Sequence, residues 1–158
     1  MNTPPSRTLA ALLSLVLSGC QNLPPNGGSE TRPLGEPALS AAALQAAQAG
    51  PVEFATHIKP ILESRCAMCH NAEALPGKVD LSSREAAART GALGVWIVPG
   101  KPDQSLLVTQ IGEAPAHLKA MPPVGNRVTA AEIAVLRKWI AEGAVWPAGR
   151  AGRLRVLP

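Results

Sequence analysis

The chain has 158 residues, a formal net charge of +4, three Trp, one Phe and no Tyr. That length allows one domain with appendages, and a folded unit of about a hundred residues is small for stability on its own apolar core. A charge this modest, with no stripe of Arg and Lys interleaved with aromatics, argues against a nucleic-acid surface. Three cysteines, Cys20, Cys66 and Cys69, leave an odd thiol in any scheme of disulfides.

Residues 1–19 read as an export signal. Arg7 supplies the positive start, and Leu9 to Leu17 is a largely apolar run of nine residues. A bilayer takes about 20. Leu17-Ser18-Gly19-Cys20 resembles the bacterial lipobox. That resemblance implies cleavage before Cys20 and lipid on the cysteine, and several acyl chains hold where one is marginal. A plain signal peptide or apolar amino terminus is the alternative. Gln21, where an Asp would retain a lipoprotein, resembles the pattern for outer-membrane delivery, with the protein facing the periplasm. Residues 20–50 read as a flexible tether, rich in Pro, Gly, Asn and Ser to about Pro37. Ala38 to Gly50 is Ala-rich and reads as a marginal helix with no packed core.

The folded domain is expected over residues 51–147. Phe54, Ile58, Ile61 and Leu62 recur at helical spacing, and Pro60 shortens, kinks or restarts that helix. His57 reads as a surface or capping side chain. The pattern leads into Arg65-Cys66-Ala67-Met68-Cys69-His70. On a helix, cysteines three positions apart lie on one side. That suits two thioether bonds to the vinyl groups of one haem, with the His70 imidazole beside them to ligate iron. Cys-x-x-Cys-His is the attachment pattern of c-type haem. One covalent haem c is therefore expected on Cys66 and Cys69, and lipid on Cys20 accounts for the third thiol.

Asn71 to Gly77 reads as a loop, and the Pro76 carbonyl is a candidate by position to accept the second N–H of His70. Ser82 or Ser83 caps a helix at Arg84 to Ala88, ended by Gly91 and Gly94. Val95 to Val98 reads as a strand or extended segment lining the pocket. Pro102 or Asp103 opens a helix carrying Ser105, Leu106, Leu107, Val108 and Ile111, stopped by Gly112 and Pro115. In Met121-Pro122-Pro123 two prolines stiffen the backbone and remove two N–H donors. Met68 sits inside the Cys-x-x-Cys loop, on the tethered side of the haem. Met121 is then the thioether free to reach the opposite face as second axial ligand. A packing methionine is the alternative; His117, then His57, are the next candidate ligands. Thr129 to Glu132 spells a capping box. Its helix runs to about Glu142, with Ile133, Leu136 and Ile140 as an apolar stripe, Trp139 beside it, and Arg137, Lys138 and Glu142 toward water. Gly143 ends it. Residues 148–158, with Arg150, Arg153 and Arg155, read as a solvated basic tail.

Taken together, these strings resemble the planctomycete-type cytochrome c domain. The matches are Phe54-x-x-x-Ile58-x-Pro60-Ile61-Leu62, Cys66-x-x-Cys69-His70, Val98-Pro99-Gly100-Lys101-Pro102-x-x-Ser105-Leu106-Leu107, Met121-Pro122-Pro123 and Glu132-Ile133-x-x-Leu136-x-x-Trp139-Ile140-x-x-Gly143-Ala144. The family is similar to class I cytochromes c. The resemblance implies an all-α domain around one covalent haem, Cys66 and Cys69 as thioether residues, His70 as proximal ligand and Met121 as the Met-Pro-Pro methionine. It also implies that Phe54 and Trp139 mark the crossing of the first and last helices.

The expected function is single-electron transfer between two redox proteins, a donor and an acceptor, by a membrane-tethered protein. A thioether ligand favours the softer ferrous ion relative to a second histidine. Two other classes are open. A five-coordinate haem would bind peroxide or small ligands, as an enzyme or sensor. Without haem, Cys66 and Cys69 would serve a dithiol or zinc module, but the thioredoxin-like context and the second ligand pair are missing.

Overall fold

A computed structural model describes residues 1, 36–114, 116–123, 125 and 127–157. The expected export signal and the lipidation site, Cys20, lie outside the described residues apart from Met1. The chain divides into two units, Met1–Glu30 and Thr31–Pro158; the second carries every element below. Its described residues form helices and turns, with a single isolated bridge between Leu93 and Ile97 and no strand.

The first helix, α1, is Ala41–Ala49, capped by the Ser40 hydroxyl, which accepts from the Ala43 N–H at 3.2 Å. Residues 38–50 were expected to add nothing to a core. Instead Ala38, Leu39 and Ala47 are buried. The reason lies about ninety positions away: Lys138 donates from Nζ to the carbonyls of Ala47, Gln48 and Gly50. These are the unpaired carbonyls at a helix end, where a cation is favoured. Glu142 adds to this by accepting the Val52 N–H at 2.8 Å. Lys138 and Glu142, expected to face water, thus fasten the amino-terminal arm.

Phe54–Ile58 is a π-helical turn that passes directly into α2, Lys59–Arg65. The change of winding falls where Pro60 lacks an N–H, as proline in a helical run requires. His57 lies in this turn. It is buried rather than on the surface, and its Nδ1 accepts the Glu53 N–H at 3.0 Å. Further along, α3 is Arg84–Arg89, capped by Ser83. The segment expected to be extended, Val95 to Val98, is a turn instead: the Trp96 and Ile97 N–H groups both donate to the Ala92 carbonyl. With no neighbouring strand to pair with, the run turns on itself, and the Val95 and Trp96 carbonyls accept from the Leu106 and Leu107 N–H groups. Ile97 is fully buried and Trp96 half-buried.

A 3-10 turn, Pro102–Gln104, precedes α4, Leu106–Gly112. Ser105, between them, is fully buried. Its hydroxyl accepts the Val98 N–H and donates to the Lys101 carbonyl, so it pins the preceding loop instead of capping α4. The longest helix, α5, is Ala130–Ala141, and both halves of the Thr129/Glu132 capping box are made. Gly143 follows at φ +101°, a conformation that ends a helix and favours glycine. Phe54 and Trp139 meet with ring centroids 6.2 Å apart, and Trp146 stacks on Phe54 at 5.2 Å. These rings, with Ile58, Ile61, Leu62, Leu136 and Ile140, form the core.

The carboxyl-terminal segment is the largest departure from expectation. It folds back as α6, Gly149–Gly152, and then runs alongside α2. Trp146 Nε1 donates to the Gly152 carbonyl at 2.7 Å, Leu154 is buried, and its N–H donates to Ser82. Arg155 grips the carboxylate of Glu63, itself buried, through its backbone N–H, Nε and Nη2. A buried carboxylate needs such partners, and the basic residue supplying them was read as solvated because its partner lies 92 positions away.

Candidate functional site

The end of α2 delivers the two candidate cysteines. The helix does not continue through them: Cys66 leaves helical geometry at φ −126°, and residues 66–69 form consecutive turns. His70 N–H closes them by donating to the Cys66 carbonyl at 2.8 Å. Asn71, which the sequence reading passed over, locks this loop from both sides. Its amide donates to the carbonyls of Ala67 and Met68, while its Oδ1 accepts the N–H groups of Glu73 and Ala74. The signal was available, because an Asn directly after a turn is a common side-chain mimic of the backbone.

His70 is buried, and its Nδ1 lies 3.3 Å from the Val79 carbonyl. That carbonyl, and not the Pro76 carbonyl expected by position, orients the ring. The backbone explains the choice, since Leu81 N–H donates to the His70 carbonyl and draws residues 79–81 alongside. With Nδ1 engaged, Nε2 is the nitrogen left for a metal. Burial holds the imidazole below its ordinary pKa, opposed by the Val79 bond. The ring is thereby kept neutral, the form that ligates metals.

A cavity of about 650 Å³, counted with its open mouth, lies beside these residues. Cys66, Cys69 and His70 line it together with Met121, so the four residues singled out by sequence share one wall system. Arg65, Pro76, Leu81, Trp96, Leu107, Ile111, Pro122 and Pro123 complete the lining. The Trp96 ring sits 5.9 Å from the His70 ring. Met121 is held by its backbone N–H, which donates to Gln110 on α4 at 3.0 Å, and the Met121–Pro122 peptide is cis. The base of its loop is tied by Arg127, which donates to the Glu113 carbonyl. Neither His117 nor His57 lines the cavity, and Met68 is 59% exposed.

Sites for organic ligands are mostly apolar with a few placed polar groups. This lining has that character: apolar side chains, two cysteine sulfurs, an imidazole, a thioether and the Arg65 guanidinium. These residues fit a haem. They fit a dithiol centre poorly. Burial pushes the Cys66 thiol up to about 12, past the opposing Arg65 guanidinium, with Cys69 adding in the same direction; redox thiols work the other way, through lowered values. Both cysteines are free thiols. Zinc takes four ligands, and among the described residues no three His, Cys, Asp or Glu side chains converge.

A family model for planctomycete cytochrome C matches residues 66–125. That match supports a planctomycete-type cytochrome c domain over these residues. The matched stretch opens on Cys66 and includes Cys69, His70 and Met121-Pro122-Pro123. A cytochrome c domain implies haem c and suggests electron transfer. Phe54 and α5 lie outside the matched residues, yet they supply the core against which the cytochrome domain packs. No curated protein and no solved structure was found to match the chain.

One further site residue was missed by sequence reasoning. Arg65 lines the cavity, and its Nη2 is 3.6 Å from Glu132 Oε1, with the two side chains 3% and 0% exposed. The capping box accounts for Glu132 at the sequence level, but nothing in its spacing points to a partner on α2.

Proposed function

We propose that this protein is a mono-haem c-type cytochrome that carries single electrons between two redox proteins outside the cytoplasm. In this reading Cys66 and Cys69 would hold the haem through thioether bonds, and His70 and Met121 would be the ligands to its iron. Lipid on Cys20 tethers the domain to a membrane, the outer membrane by the residue at position 21, facing the periplasm. The observation that carries the reading is the mostly apolar cavity that Cys66, Cys69, His70 and Met121 line together.

A haem bound here supplies a one-electron Fe(II)/Fe(III) couple. The chain's own residues do the remaining work. Val79 aims the His70 ring. Gln110 and the two prolines hold Met121 in place, and a thioether shifts the balance toward the reduced state. Leu81, Leu107 and Ile111 keep water from the site, so that little reorganisation accompanies the change of charge. No helix among the described residues is long and apolar enough to cross a membrane. In this reading attachment rests on the lipid.

The test is intact mass and visible spectroscopy on protein made with a c-type maturation system. One haem mass and a low-spin c-type spectrum are expected. Met121→Ala should keep the haem, lower the potential sharply and admit carbon monoxide to the ferrous form. Colourless matured protein refutes the reading. Rapid carbon monoxide binding by the wild type would move it to a small-ligand-binding or peroxidase-like site.

A further inference from the structure

The Arg65–Glu132 pair joins the wall of the cavity to the first turn of α5, and neither side chain reaches solvent. Each member has other partners. Arg65 Nη2 donates to the Glu36 carbonyl at 2.7 Å. Glu132 accepts the Ala38 N–H on Oε1 and the Thr129 N–H on Oε2. Arg65 Nε is buried and has no hydrogen-bond partner among the described residues.

Such a pair is poorly explained by stability. Removing two charges from water commonly offsets what their attraction gains, and apolar residues of the same volume do as well or better. Its position is more informative. Arg65 precedes Cys66 in the chain, lines the same cavity and is the only Lys or Arg among its described lining residues. Iron oxidation adds one positive charge to that cavity. In a poorly polarisable wall a fixed cation disfavours that step, and a fixed anion beside the cation cancels most of its effect.

Resting on the haem reading above, we propose that the buried Arg65–Glu132 pair sets the potential of this site. Arg65 is the cation that opposes oxidation, and Glu132 is a positioning residue that holds and compensates it. Arginine does not shed its proton in proteins, so loss of Glu132 leaves its charge standing at the cavity wall.

The decisive variant is Glu132→Gln. Glutamine also serves at the third position of a capping box, so the start of α5 is retained while the charge is removed. Midpoint potentials are read by spectroelectrochemical titration of the matured, haem-loaded protein, with thermal unfolding measured alongside. Glu132→Gln is expected to raise the midpoint by about tenfold in the ferrous-to-ferric ratio, about 59 mV for a one-electron couple. The double variant Arg65→Gln/Glu132→Gln is expected to return toward the wild-type value. If Glu132→Gln does not fold, Arg65→Gln decides: the surviving carboxylate should lower the midpoint. A Glu132→Gln protein that melts earlier but keeps the wild-type potential overturns the proposal and leaves the pair a structural tie. Wild-type protein that matures without haem defeats the haem reading itself, a separate outcome seen in the spectrum before any potential is measured.

Discussion

Removal of residues 149–158 is the sharpest test of how this domain is held together. Leu154 is 5% exposed, and full burial of a leucine contributes about 1.5–3 kcal/mol. Trp146 loses the Gly152 carbonyl as acceptor for its Nε1, and a buried donor left unpaired costs about 1–3 kcal/mol. The Arg155–Glu63 contact is worth less than its geometry suggests. The Arg155 side chain is 74% exposed, so solvent screens the pair, and about 1 kcal/mol is a fair ceiling. Lys59, 3.9 Å from Glu63, remains to compensate the carboxylate. The sum is about 3 kcal/mol or more. For a unit of about a hundred residues that is a fall in melting temperature of about 12 °C or more. The assay is thermal unfolding of matured protein with haem content checked by mass. Arg155→Ala should lose little, and Leu154→Ala should lose about half of what truncation loses. A truncated protein that melts with the full chain would refute the packing argument and restore the tail to a solvated end.

Gly152→Ala should destabilise by about 1–3 kcal/mol, the range for overpacking. A Cβ there would lie 1.7 Å from the Pro147 carbonyl oxygen and 2.9 Å from the Trp146 ring, and backbone cannot move aside; the same melting experiment reads it. The Cys66 thiol gives a pH signature in chain made without haem attachment. Its folded value is raised from 9.0 to about 12, so the unfolded chain ionises first. Stability is therefore intact below pH 9.0 and falls as pH rises toward about 12. At about 1.4 kcal/mol per tenfold change in acidity the full effect is on the order of 4 kcal/mol. Denaturant titrations across that range should show the loss in wild type and little of it in Cys66→Ser.

The Cys-x-x-Cys-His pattern, the Met-Pro-Pro methionine that lines the same cavity, the capping box and the aromatic pair were all legible because each is either local or a fixed spacing of chemically distinctive groups. Ser83, Thr129, Gly143 and Pro60 act within a few residues of themselves, and the structure uses them as their chemistry requires. The resemblance extended further along the chain than the matched family model and led to Phe54 and Trp139, which do meet. Three of the errors share one cause. The amino-terminal arm, the basic tail and Lys138 look like solvated polymer in sequence. Each is fixed by a partner about ninety positions away that no periodicity reveals.

Alone, then, the order of residues singled out the side chains with the chemistry to hold a haem and marked the starts of α3 and α5, because sulfurs, imidazoles and caps declare themselves by type and spacing. Tertiary structure decided which carbonyl aims His70, that Val95 to Val98 turns instead of extending, and that Arg65 meets Glu132 in the cavity wall. Those choices follow from burial. A polar group taken out of water must find whatever partner the fold brings near, and that partner is set by packing rather than by position in the chain.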